Sequence, residues 1–564
     1  MGITITGNIV HIVAKHIAYG SITIEGDSIQ AITILGPEQP TEPYILPGFI
    51  DSHIHIESSM LTPSQFARMA VVHGTVGTVS DPHEIANVCG MQGVEYMITD
   101  GARVPFHFAY GAPSCVPATT METAGATIAV HDVDALLQRS DILYLSEMMN
   151  YPGVLHKDAD VMAKIELAKK YNKPVDGHAP GLRGAQAKEY IQGIALHATI
   201  PNNTTQVTTG TATDHECYTY EEALEKLQYG MKILIREGSA AKNFEALYPL
   251  LHNWEDAIML CSDDKHPDSL ELGHINELCA RAVAYGICVY KVLKAACINP
   301  VLHYKLGVGM LRVGDSANIV MVHNLTQFTV SHTYIKGILV AKEGVSLITA
   351  SPATIINNFE CVPQVAHNFE VQATHYNHTI PVIAALDGQL VTHKLYVEKT
   401  QLQNNDLLLA NTKIDVLKIV VINRYTHAPI AKAFIKNFGL TKGAIASTVA
   451  HDSHNIIAVG VTDDELCTAV NIIIQAKGGL SYAYYNNDQY TTDILPLPIA
   501  GIMTNADGYQ VSAQYTALDY AVKGILGSTL QSPYMTLSFM ALLVIPHLKL
   551  SDKGLFDADT FSIM

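Results

Sequence analysis

The stretch Pro47-Gly-Phe-Ile-Asp-Ser-His-Ile-His-Ile-Glu-Ser-Ser59 ends an apolar, β-branched run with two histidines one residue apart. Side chains of a strand alternate between its faces, so His53 and His55 point the same way and can grip one cation together. Gly48 before them and Glu57-Ser58-Ser59 after them mark a strand running out into a loop, which is where barrel enzymes carry their chemistry. The segment predicts a metal-dependent hydrolytic site.

Working outward, apolar strand-like runs alternate with helical stretches from residue 47 to about 310. Eight runs have strand character: 50–56, 77–82, 106–111, 142–148, 175–179, 212–217, 232–237 and 257–263. Helical periodicity lies between them, as in 159–171, where Val161, Ile165 and Ala168 share a face and Lys169-Lys170 sit in the last turn. Eight such units predict an α/β fold, a (β/α)8 TIM-like barrel. Residues 1–46 read as hairpins of a small sheet, with Ile3, Ile5, Ile9 and Val10 forming an edge strand rather than a lipidation signal. The return of β character at Gly314–Val322 predicts that 311–355 joins 1–46 in a small β-sandwich built from both flanks of the barrel. A connecting segment, 356–400, then leads to a C-terminal α/β domain, 401–564, opening on the strand-like 416–422.

Composition narrows the function classes. The formal net charge is −18, with 35 basic against 53 acidic residues, which disfavours nucleic acid or an anionic membrane as partner and suits a small molecule. Nine scattered cysteines without a Cys-x-x-Cys pair point to a reducing cytoplasm, and no signal peptide or membrane span is apparent. A closed homo-oligomer, dimer or larger, is the default expectation for a soluble assembly.

Further ligand-type residues follow later strands: Glu147, His178, His215 and the pair Asp263-Asp264. Barrel strand ends converge on one mouth. So many nitrogen and carboxylate donors exceed one tetrahedral site and suit two divalent ions roughly 3.5–4 Å apart. Of the two aspartates, Asp263 is favoured because it directly follows its strand, with Asp264 as an orienting group. His83 and Glu84 are read as substrate contacts or braces for the metal ligands, as are Glu216 and Glu237. For Arg236 and Glu237 an internal ion pair is preferred over contact with a substrate edge. His451, Asp452 and His454 are left out of the catalytic set, since hydrogen bonding at a tight turn explains them equally.

Pro47–His55, Asp81-Pro-His-Glu84, Gly177-His-Ala-Pro180, Asp214-His-Glu216 and Ser262-Asp-Asp264 resemble the amidohydrolase superfamily, and in combination its bacterial-type adenine deaminase family. Gly443–Ile456 and Ser532-Pro-Tyr-Met-Thr-Leu-Ser-Phe539 are similar to that family's C-terminal domain, so the resemblance spans the chain. Many relatives bridge two metals with a carbamylated lysine from strand four; here the nearest downstream lysine, Lys157, lies well past the strand, and the resemblance puts Glu147 in the bridging role. It implies His53, His55, Glu147, His178, His215 and Asp263 as ligands of two divalent ions. Mixed nitrogen and oxygen ligands accommodate zinc, iron or manganese, and the resemblance favours manganese or iron(II). It further implies adenine as substrate, attack on C6 by a metal-bridging hydroxide, Asp263 as proton shuttle, and hypoxanthine with ammonia as products. Another amidohydrolase acting on a cyclic amide or N-acyl group is the alternative, with a non-catalytic assembly barrel behind it.

Overall fold

In the computed structural model, which describes residues 2–195, 197–198, 207–208, 212–349 and 352–564, eight parallel strands follow one another round a barrel. They are Phe49–Ile54, Thr75–Ser80, His107–Ala112, Ile142–Met148, Val175–Gly177, Ala212–Asp214, Lys232–Arg236 and Ile258–Cys261. Most of their residues are buried, as expected of parallel strands covered on both faces, and this is why they read as near-continuous apolar runs. Closure occurs where the first strand meets the eighth. The Asp263 amide donates to the His53 carbonyl at 2.9 Å, and the His55 amide to the Asp263 carbonyl at 3.3 Å. The ring therefore shuts on the residues that the opening motif singled out. Gly177, the last residue of the fifth strand, is a close-approach position: a Cβ there would stand 2.4 Å from the Thr213 carbonyl oxygen of the sixth strand.

The flanks of the barrel form one continuous eight-stranded sheet. It runs from Val345–Ser346 through Ile338–Lys342, Val330–Ile335, Ile319–Val322, Tyr44–Pro47, Ile3–His11 and His16–Glu25 to Ser28–Pro37. It curls on itself, with Ser28 bridging to Ser316 and the Ala317 amide donating to the Asp27 carbonyl at 2.7 Å. Ile5, Ile9, Ile22, Ile29, Ile45 and Ile319 fill the space enclosed. The N-terminal strand was expected at an edge and is interior: it pairs antiparallel with His16–Glu25 and parallel with Tyr44–Pro47. Its alternation showed a buried face but carried no information about how many neighbours it would have.

The C-terminal region is built on a second eight-stranded sheet. Two of its strands, Thr379–Ala384 and His393–Glu398, come from the stretch read as connecting. Across this sheet packs the helix Asp463–Ala476, whose N-cap Thr462 accepts from the Glu465 amide and whose first turn is acidic. Its Leu466, Ala469, Val470 and Ile473 bury against Val420, Ile422, Ala444 and Ala458. One buried cluster runs unbroken from barrel residues such as Phe66 and Ile85 to Tyr515, Tyr534 and Phe539, so the C-terminal region and the barrel share a core.

Candidate metal centre and active-site cavity

Each ligand-type side chain sits within two residues of the end of its strand, where the chain leaves the barrel and the backbone can aim it inward. His53, in the first strand, and His55, just beyond it, are both buried, with His55 Nδ1 against the Asp81 carbonyl oxygen at 3.2 Å. That contact leaves Nε2 to face the barrel axis. Asp263 is held in the left-handed region, φ 56°, by its two backbone hydrogen bonds to the first strand. A non-glycine residue there is strained, and such strain persists only where the surroundings over-determine it.

His53 Nε2, His55 Nε2 and Asp263 Oδ1 stand 3.2, 3.2 and 3.5 Å from one another. Three lone-pair atoms in mutual contact repel unless a positive charge lies among them, and a divalent ion with bonds of about 2.0–2.2 Å separates its ligand atoms by roughly this much. Glu147 faces two ways. Its Oε1 is 3.2 Å from His55 Nε2, while Oε2 is 2.7 Å from His178 Nδ1 and 3.3 Å from His215 Nε2. The His53 and His215 rings stack with centroids 4.0 Å apart, joining the two groups. His178 Nε2 is buried without a hydrogen-bond partner, so this cluster has unspent donor capacity. A buried His/Asp/Glu cluster of this kind fits a metal centre.

The electrostatics favour ionised carboxylates. Burial by itself would raise Asp263, yet Arg236 with His53 and His55 holds it well below the usual carboxylate range. Burial likewise opposes ionisation of Glu147, and His178 and His215 overcome it. Asp264 behaves differently: burial and the charge of Asp263 push it up to about 6. Its Oδ1 accepts from the Ser58 hydroxyl at 2.5 Å. Arg236 donates to Asp263 Oδ2 at 2.6 Å and to both Glu216 oxygens at 2.5 and 3.2 Å. The internal ion pair expected of Arg236 is thus present, but with partners on other strands.

The cavity above the cluster is lined by His55, Glu84, Glu147, Glu216, Asp263 and Asp264 together with His451. His83 braces it, its Nδ1 lying 3.1 Å from Asp81 Oδ2 and 3.6 Å from Glu147 Oε1. Glu237 does not reach this space. Its carboxylate meets Arg281 at 2.7 Å, the internal ion pair preferred for it, in place of the substrate contact that was the other expectation.

Comparison with known proteins agrees with this geometry. Residues 44–340 match the model of the amidohydrolase family, and residues 389–562 match that of the adenine deaminase C-terminal domain. Proteins named adenine deaminase are similar over essentially the whole chain. The one from Salinibacter ruber is 49% identical over 562 residues, covering 100% of this chain and 98% of its own. Those from Borreliella afzelii and Methanosarcina mazei are 47% and 46% identical, each covering 99% of this chain and 99% and 98% of their own.

The chain belongs to the adenine deaminase family.

What sequence reading left out of the adenine deaminase site comes from the C-terminal domain. His451 Nδ1 and His454 Nε2 both pair with Glu84, one to each carboxylate oxygen, and Asp452 Oδ1 lies 3.8 Å from His83 Nε2. The His-Asp-Ser-His cluster was visible in the sequence. Its partner, 367 residues away, was not.

Proposed function

We propose that this chain hydrolyses adenine to hypoxanthine and ammonia at the barrel mouth, with His53, His55, Glu147, His178, His215 and Asp263 holding two divalent ions. Mixed imidazole nitrogen and carboxylate oxygen donors accommodate manganese, iron or zinc, and similarity to the adenine deaminase family favours manganese or iron(II). The observation that carries the reading is the two-faced Glu147 carboxylate, with Oε1 against His55 and Oε2 against His178 and His215. When bound, the ions supply Lewis acidity and make a water molecule acidic enough to ionise near neutrality.

The chain's own groups do the rest. Deamination forms a C6–O bond, breaks the C6–NH2 bond, and moves protons from water to the ring and the leaving nitrogen. Arg236 holds Asp263 Oδ2 while Oδ1 lies against His53 and His55, which fixes the carboxylate at the cavity floor, where Asp263 takes a proton from the attacking water and carries it towards the substrate. Met149, Leu390 and Leu542 give the same cavity an apolar portion beside the polar cluster. All nine cysteines are unpaired, in keeping with a reducing cytoplasm, and no described helix is long and apolar enough to cross a membrane. A homo-oligomer is part of the same reading.

Conversion of adenine to hypoxanthine by manganese- or iron-loaded protein, followed in the ultraviolet with adenosine in parallel, tests the proposal. Turnover of adenine alone is expected. Absence of turnover with either metal would overturn it.

A further inference from the structure

The C-terminal motif that closes on the barrel turns one imidazole nitrogen, His451 Nε2, towards the cavity without a hydrogen-bond partner. His451 is buried, and its Nδ1 is committed to Glu84. The other Glu84 oxygen is taken by His454 Nε2, and His454 Nδ1 accepts the Ala450 amide at 3.2 Å, which places the His454 proton on Nε2. That tautomer argues against a cation shared by Glu84, His451 and His454, because the nitrogen facing Glu84 is a donor. The His451 amide donates to the Ser538 hydroxyl at 3.3 Å, and its ring lies on Phe539 with centroids 5.3 Å apart. Both belong to the helix Pro533–Phe539, within the second C-terminal stretch noted in the sequence.

None of these contacts uses His451 Nε2. It meets Asp264 Oδ1 only at 3.8 Å, beyond hydrogen-bond reach, and the residue lines the same cavity as His55, Glu147 and Asp263. An imidazole nitrogen that lines a cavity and lies beyond hydrogen-bond reach of its nearest carboxylate can take its partner from a bound molecule. We propose that His451 is a substrate-contacting residue whose Nε2 hydrogen-bonds a ring nitrogen of the purine, so that the C-terminal domain completes the catalytic cavity. Glu84 and His454 are then positioning residues that lock the imidazole plane. The inference rests on reading this cavity as the adenine site.

The test uses purine and its 1-deaza, 3-deaza, 7-deaza and 9-methyl analogues, none of which has an amino group to lose, as competitive inhibitors of manganese-loaded wild type, His451→Ala and His451→Asn. In the wild type, one analogue is expected to bind about tenfold more weakly than purine, the size of one hydrogen bond. In His451→Ala that penalty should vanish, and KM for adenine should rise by a similar factor. Metal content should stay the same, and His451→Asn should recover part of the affinity. Equal analogue penalties in wild type and variant would overturn the proposal, as would loss of bound metal or a fall in kcat with KM unchanged. If His451→Ala does not fold, His451→Asn decides by the same comparison. A wild type inactive on adenine would overturn the reading of the site, and this inference with it.

Discussion

An imidazole nitrogen can serve one cation, whereas a carboxylate can serve two, and the proposed centre would use that difference. Glu147 stands between His55 on one side and His178 with His215 on the other. His53→Asn removes a donor from one group while leaving the fold untouched. At least a ~100-fold loss of adenine turnover is expected, with reduced metal content and little change in circular dichroism. Wild-type turnover in this variant would show that His53 is not a ligand. That these side chains gather in one buried cluster was legible because strand-end histidines and carboxylates announce themselves by spacing. The partner of Glu237 was not, since Arg281 reaches it from a separate helix, Ile275–Ala284.

At the scale of elements, the loops carrying His178 and His215 are braced by the helix Tyr220–Gln228. Its Lys226 is buried and donates to Asp214 Oδ2 at 2.5 Å, Glu222 Oε1 at 2.8 Å and the Ala179 carbonyl at 2.7 Å. Lys226→Met would leave two carboxylates buried without their cation, a loss of about 3–5 kcal/mol. A lowered melting temperature and weaker metal retention should be measured together. The strand Leu548–Ser551 carries an opposite case. Lys549 donates to the Leu390 and Phe539 carbonyls at 2.6 and 2.9 Å, and burial pushes its ammonium down to about 7 from 10.5. Between those values the unfolded chain binds the proton and the folded chain does not, so this residue makes stability rise with pH from about 7 to about 10. The full span corresponds to roughly 5 kcal/mol. Thermal melts across that range should lose this slope in Lys549→Met, and an unaltered slope would assign it to other groups. Neither brace was visible in the sequence, where Lys226 and Lys549 look like ordinary surface lysines.

For the whole molecule, the question is what holds the C-terminal domain over the barrel. The continuous apolar cluster joining Phe66 and Ile85 to Tyr515 and Phe539 is the main candidate. The Arg68–Asp507 pair, 2.6 Å apart and partly solvated, is a minor one. Arg68→Ala should therefore change stability by less than about 1 kcal/mol and leave adenine turnover near the wild-type value. A large loss of activity would mean the ion pair sets the domain seating. Chelation should act more strongly: removing ions bound only by the folded state should lower the melting temperature and abolish turnover, with both restored by manganese.

The sequence by itself determined the barrel, the strand ends that carry its buried histidine and carboxylate cluster, and the family. Apolar periodicity and residue spacing are local properties that survive without knowledge of what packs where. Tertiary structure alone decided that the N-terminal strand is interior, that Arg236 serves Glu216 and Asp263, and that His451 and His454 reach Glu84 across 367 and 370 residues of chain. Those contacts join segments far apart in the chain. They arise from the burial of one shared core, which no local pattern encodes.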